Sequence, residues 1–234
     1  LERYGLKRAL RLYHEHNAEA ERPRIMAALE KGESVALVSD AGTPLVSDPG
    51  FKLVRACVEA GHPVTCIPGA SAVMASVALS GLPTDEFHFA GFLPARGGQR
   101  RTRLAELGAI PTTIVLFEAP NRLAETLADM AEVLGAERPA AVARELTKRF
   151  EELKRGAVGA LAEWAASEPV RGEIVIVLGP ALVRAATDAD IEAALSPLIA
   201  TSGVKEAAKA VAAALGVPRA RAYTLGLALK DRLR

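Results

Sequence analysis

Apolar positions in this chain cluster in two rhythms, short unbroken runs and longer stretches at helical spacing, and the two alternate. Ser34–Ser39 (SVALVS) and Pro63–Ile67 (PVTCI) are short continuous apolar runs. Each is followed by a helical pattern, Phe51–Ala60 closed by Gly61 and Ser71–Ser80 closed by Gly81. Apolar runs of this length bounded by turns predict strands covered on both faces, and strands alternating with helices predict a parallel sheet. Ahead of them, Pro23–Lys31 predicts a helix closed by Gly32. Leu1 is not preceded by a methionine, and Leu1–Arg8 reads as the tail of a helix already under way, so the chain is treated as a candidate fragment.

Gly81–Gly98 is rich in glycine and proline, includes the turn-like Gly91-Phe92-Leu93-Pro94, and predicts a domain linker. A second cycle follows. It comprises helix Arg100–Leu107, strand Thr112–Phe117, helix Asn121–Leu134, strand Ala140–Arg144, helix Ala157–Ala166 and strand Glu173–Leu178, stopped by Gly179-Pro180. Leu182–Arg234 is an Ala-rich helical segment. It contains a helix Gly203–Leu215, a break at Gly216-Val217-Pro218 and a helix Arg219–Leu229. The predicted fold is α/β: an N-terminal α/β domain over residues 1–93, a second over 94–181, and a helical segment over 182–234 with a helix–turn–helix outline.

Composition narrows the class. Half of the 234 residues are hydrophobic, enough for a sizeable core, and 24% are charged, which excludes wholesale disorder. Only 4% are aromatic, which argues against a base-stacking platform. No apolar run approaches the roughly 20 residues of a membrane span. Cys57 and Cys66 form neither a disulfide framework nor a CxxC pair, so a reducing, cytoplasmic setting is expected. The net charge of +1 suggests no polyanionic partner on average.

Candidate chemistry concentrates in two loops that leave predicted strands. Ser39-Asp40-Ala41-Gly42-Thr43-Pro44 combines small residues, which allow a ligand close to the backbone, with a carboxylate and a hydroxyl. Asp40 can accept bonds from ribose hydroxyls or an amine. Pro68-Gly69-Ala70-Ser71-Ala72 opens a helix, and its free N–H groups can hold a carboxylate or phosphate. Each loop alone also fits an ordinary strand-to-helix turn capped by Asp or Ser. Two such loops after parallel strands favour a ligand site. The chain has no GxGxxG, GxxxxGK[ST] or GxSxG. His14-x-His16 has no third metal ligand nearby in sequence, and no metal is expected.

ALVSDAGTPLVSDPG (Ala36–Gly50), IPGASA (Ile67–Ala72), SGLPTDEF (Ser80–Phe87) and GFLP (Gly91–Pro94) resemble the tetrapyrrole methylase superfamily. LFEAPNRL (Leu116–Leu123), ARELTKRFEE (Ala143–Glu152), RGEIVIVL (Arg171–Leu178) and YHEHN (Tyr13–Asn17) resemble, more closely, its ribosomal RNA branch, the small-subunit methyltransferase I family. The match covers nearly the whole chain in order. It implies S-adenosylmethionine-dependent methylation of the 2′-hydroxyl of a cytidine in the decoding region of small-subunit rRNA, by a cytoplasmic homodimer with no membrane or DNA partner. The cofactor is then expected in a cleft between the two α/β domains. Asp40, Ala41, Gly42 and Thr43 would form one wall and Ser71 and Ala72 would hold the methionine end, with Leu116, Phe117 and the backbone near Ala143 facing the adenosine. Members of the family also carry a strand and loop resembling ATPIGNLxD, then EDTRxT, and this chain contains neither. That strand would lie centrally in the first domain's sheet, and its loop would line the substrate cleft.

A ribose hydroxyl needs its proton removed as it attacks, and Glu118, Glu145 and His16 are candidate acceptors. Helix-cap carboxylates and partners for Arg144 or Lys148 are the plainer roles for these acids. For the RNA, the candidates are His16, Asn17, Arg96, Arg100, Arg101, Arg122, Arg144 and Lys148. Arg96, Arg100, Arg101 and Arg103 form a run without an acid. From Ile199 to Arg234 seven Lys/Arg face Glu206 and Asp231, a local +5 that fits nucleic-acid docking or a packed helical pair. A tetrapyrrole C-methyltransferase and a non-catalytic RNA- or ribosome-binding module are the alternatives.

Overall fold

The computed structural model describes residues 5, 7, 9–181 and 186–232. The chain divides into two compact units, 1–181 and 182–234. The helix tail expected over Leu1–Arg8 lies outside the described residues except at 5 and 7.

In the first unit three helices come first: α1 (Ala18–Glu30), α2 (Phe51–Glu59) and α3 (Ala72–Ser80). A five-stranded sheet follows, built from β1 (Phe87–Phe92), β2 (Thr113–Glu118), β3 (Pro139–Arg144), β4 (Glu152–Ala157) and β5 (Ile174–Leu178). The order is β1-β2-β5-β3-β4, parallel only between β1 and β2 and antiparallel elsewhere. Helices α4 (Gly97–Gly108), α5 (Leu123–Leu134) and α6 (Val158–Ser167) connect the strands.

Side chains alternate across each strand, so one sequence run supplies two cores. Ile114, Leu116, Val142, Ile174, Ile176 and Leu178 pack with Leu104, Leu107, Leu127, Met130 and Leu161 of α4, α5 and α6. Val115, Ala141, Ala143, Val175 and Val177 point the other way and pack with Val73 and Val77 of α3. A sheet covered on both faces makes its central strands apolar throughout, whichever way they run. The apolar runs of these strands therefore carry burial but not direction, and their sheet is mixed; the parallel pairing expected of Ser34–Ser39 and Pro63–Ile67 is not formed among the described residues.

Two strands were hidden in the sequence. Phe87–Phe92 falls in the stretch expected to be a linker, yet it pairs along β2, with a register shift between Phe89 and Gly91 that leaves Ala90 as the extra residue. Glu152–Ala157 (ELKRGA) is polar because it is the sheet edge, where charged residues are tolerated.

The converse correction concerns Ser34–Ser39 and Pro63–Ile67. Both lack ladder partners among the described residues, and Val38 and Ile67 are 64% and 83% exposed. An apolar run becomes a strand only where a neighbour completes its N–H and C=O groups, and that neighbour is non-local in sequence.

The second unit pairs α7 (Asp188–Leu215) with α8 (Arg219–Arg232). Thr187 and Asp190 close a capping box at the start of α7. Gly203, at φ 74° and ψ 163°, breaks α7, and a left-handed Gly216 ends it. Helix α8 crosses so near that a Cβ on Gly226 would lie 2.9 Å from Val204 Cγ1. The core between the helices is small and aliphatic: Ile191, Leu195, Ala207, Ala208, Val211 and Ala222. Among the described residues no helix is long and apolar enough to cross a membrane.

Candidate functional site

A cleft of about 390 Å³ opens in the first unit where the two candidate loops meet the ends of β1, β2 and β5. That volume lies in the range of small-molecule sites. Ser39, Asp40, Ala41, Gly42 and Thr43 form one side, continued by Val46, Ser47 and Asp48. Ser71, Ala72 and Val73, at the start of α3, form the second side. Phe92, Phe117, Glu118 and Glu173–Val175 close the third. Thr43 Oγ1 donates to the Ala70 carbonyl at 3.2 Å and ties the two loops together.

Each side brings a different chemistry. Ser71 caps α3, its Oγ accepting from Met74 N at 3.4 Å, and the first-turn N–H groups of α3 present the positive end of the helix dipole. Phe117 stands edge-on to Phe89 and Phe92, with ring centroids 5.0 and 5.6 Å away, and gives an apolar wall. The carboxylates of Asp40, Asp48, Glu118 and Glu173 ring the cleft with negative charge.

Two expected wall residues lie elsewhere. Leu116 belongs to the opposite face of β2 and is buried against α4–α6, a consequence of strand alternation. Ala143 is buried beneath α3 and does not line the cleft.

Of the two acids singled out as proton acceptors, Glu118 lines the cleft but its oxygens are occupied. Oε1 accepts from Ala119 N at 2.7 Å and Oε2 from Thr126 Oγ1 at 2.6 Å, and Arg122 Nε lies 3.3 Å from Oε1. Glu145 is not in the cleft lining. Its Oε1 accepts from Glu173 N at 2.8 Å and Lys148 Nζ at 3.0 Å. Those two donors, the backbone N–H first, hold its carboxyl below the usual carboxylate range.

The RNA candidates separate sharply. Arg100 is fully buried and paired with Asp129 and Glu125, each at 2.6 Å. This corrects its expected phosphate contact, because a guanidinium committed to two carboxylates inside the protein has no face for RNA. Arg101 is half exposed and bridges Asp129 and Glu132 at 3.1 Å each. Arg122 Nη2 donates to the Leu93 and Pro94 carbonyls at 2.9 and 3.1 Å, and so fixes the GFLP turn. Arg144 pairs with Glu152 at 3.0 Å, and Lys148 with Glu145 and Glu173 at 3.0 Å each. Asn17 is used locally, accepting from His14 N and donating to the Leu12 carbonyl at 2.8 Å each. His16 and Arg96 are exposed. In the second unit, Arg221 and Arg232 turn inward to Asp188 and Glu192, which reduces the free charge of the basic tail.

Sequence reasoning passed over Asp48, Phe92 and Glu173. The available signal was the second Ser-Asp, Ser47-Asp48, followed by the turn pair Pro49-Gly50 just beyond the first Ser39-Asp40.

Comparison with known proteins resolves what such a cleft belongs to. The family profile of the tetrapyrrole (corrin/porphyrin) methylases matches residues 3–162. A ribosomal RNA small subunit methyltransferase I from Mesorhizobium japonicum is 50% identical over 232 residues, covering 99% of this chain and 79% of that protein. The chain belongs to this family. A Pseudomonas aeruginosa protein of the same name is 42% identical, covering 96% of this chain and 81% of its own length.

Solved structures share the family fold at low identity. A uroporphyrin-III C-methyl transferase from Thermus thermophilus, complexed with S-adenyl homocysteine, has a TM-score of 0.51 at 19% identity, covering 72% of this chain and 75% of that one. A cobalt precorrin-4 methyltransferase has a TM-score of 0.53 at 18% identity, covering 69% and 70%. The family is one of S-adenosylmethionine-dependent methyltransferases. The cleft suits that cofactor chemically: it offers helix N–H groups to a carboxylate, acids to an ammonium and a sulfonium, and an aromatic wall to a purine.

Proposed function

We propose that this protein methylates the 2′-hydroxyl of a cytidine in the decoding region of small-subunit ribosomal RNA. The observation that carries this reading is the convergence of Asp40–Thr43 and Ser71-Ala72 on one cleft in a chain half identical to a ribosomal RNA small subunit methyltransferase I.

S-adenosylmethionine supplies an electrophilic methyl group whose carbon–sulfur bond is already activated by positive charge. The protein's part is to hold and orient, which for an in-line displacement can supply much of the acceleration. The first turn of α3 and the Ser71-Ala72 backbone would receive the methionine carboxylate. Asp40, with Ala41, Gly42 and Thr43 allowing close approach, would take the ammonium or the ribose hydroxyls. Phe117 would cover one face of the adenine. Glu118, with both oxygens engaged and Thr126 and Arg122 around it, acts as a strut between β2, α5 and the GFLP turn rather than as a proton acceptor. Arg96 and the exposed part of Arg101 supply phosphate contacts.

The test is transfer of labelled methyl groups to small ribosomal subunits, followed by digestion to nucleosides. Label in 2′-O-methylcytidine is expected. Label in a base-methylated nucleoside, or none in RNA, would overturn the reading.

A further inference from the structure

Ribose methylation, the reading on which this inference rests, requires a proton acceptor, and two of the four acids around the cleft are committed elsewhere. Glu118 is buried with both oxygens bonded, and Glu173 is an exposed partner of Lys148. Asp40 is exposed on the loop that forms one side of the cleft. Asp48 differs from all three. It lines the cleft half-buried, and Ser39 Oγ donates to its Oδ2 at 2.7 Å. Among the described residues its other oxygen, Oδ1, accepts no bond. The backbone that carries it is strained: Leu45 and Ser47 stand at φ 72° and 60°, a region that side chains beyond glycine adopt at a cost. Gly50, at φ 138°, closes the loop where a Cβ would come 2.7 Å from Leu37 Cδ2. A loop held in two left-handed residues, with one carboxylate oxygen tethered and the other open to a cleft, is arranged to present that oxygen.

We propose that Asp48 is the general base of the methyl transfer and that Ser39 positions it. In the step, the ribose oxygen bonds to the methyl carbon as the carbon–sulfur bond breaks and its electron pair stays on sulfur. The hydroxyl proton passes to Asp48 Oδ1, giving a carboxylic acid that later returns the proton to water. A carboxylate that keeps one hydrogen bond is oriented without losing its remaining basic site.

Asp48 also closes the loop through Ser39, and substitutions separate that structural role from basicity. Asp48→Asn keeps an oxygen to accept from Ser39 and removes the base. It should lower single-turnover methylation of small ribosomal subunits at least 100-fold, while calorimetric affinity for S-adenosylmethionine changes less than twofold. Ser39→Ala should lower the rate roughly tenfold, and Ser39→Thr, which restores the donor, should recover most of it. An Asp48→Asn rate within threefold of wild type, on a wild-type protein that forms 2′-O-methylcytidine, overturns the base assignment alone. A tenfold loss of cofactor affinity in Asp48→Asn overturns it in favour of cofactor binding. Absence of ribose methylation by the wild type overturns the function and this assignment together.

Discussion

Arg100 and Arg101 are neighbours with the same side chain and opposite fates, and the difference lies in what α5 places against them. Arg100 sits under Asp129 with no exposed surface, whereas Arg101 reaches Asp129 and Glu132 from solvent. Removing one partner of a buried pair strands the other's charge, while exposed pairs contribute little. Arg100→Ala should therefore cost about 3 kcal/mol in chemical denaturation, and Arg101→Ala less than about 1 kcal/mol. Equal effects would show that the pair is not desolvated. Nothing local distinguishes the two residues in the run Arg100-Arg101-Thr102-Arg103, because the deciding carboxylate is 29 positions away.

Glu145 belongs to the same scale. Its carboxyl is held below the range near 4.3 that an unfolded glutamate shows, so its contribution to stability is present above that range. That contribution is lost as pH falls through the lower folded value. Between pH 6 and pH 3 the urea midpoint of wild type should fall further than that of Glu145→Gln, and parallel declines would contradict the assigned contacts.

Elements show where local pattern suffices and where it does not. Helices α2, α3, α5, α6 and α8 lie within a few residues of their sequence-predicted spans, because caps and periodicity are local signals, whereas α7 begins at Asp188, well ahead of the expected Gly203, where its break lies. Strand β1 was masked by the turn residues around it, and β4 by the charges its edge position permits. Ser34–Ser39 and Pro63–Ile67 carry apolar strand signals yet form no ladder among the described residues. The cleft was legible for the reason the helices were: both candidate loops are local motifs at helix starts or strand-like ends. Asp48 had only the repeated Ser-Asp to mark it, and Glu173 had no local signal, since only tertiary structure brings it to that cleft.

Element packing also yields a prediction. Arg155 on the edge strand β4 reaches the last carbonyls of α3, with Nε 3.2 and 3.1 Å from the Leu79 and Ser80 oxygens and Nη2 2.5 Å from Leu79 O. A cation at the C-terminal end complements the helix dipole. Arg155→Ala should lower stability by about 1 kcal/mol, with Arg155→Lys recovering less than half, because only the guanidinium fork spans both carbonyls. Full recovery by lysine would reduce the contact to charge alone.

For the whole molecule, the net charge of +1 averages over unlike regions, and the structure refines both basic ones. The arginine run spends Arg100 inside the protein. The basic tail spends Arg221 and Arg232 on its own acids, leaving, among the described residues, Lys205, Lys209, Arg219 and Lys230 for any polyanion. The fold is shared with enzymes that methylate tetrapyrroles, so architecture alone does not select the substrate. What selects it here is the close similarity to ribosomal RNA methyltransferases along the length of the chain. The most direct measurement offers labelled S-adenosylmethionine together with equimolar small ribosomal subunits and uroporphyrinogen III in one reaction, and separates the products. Label in the RNA with none in the tetrapyrrole is the predicted result, and label in the tetrapyrrole or in neither would contradict it.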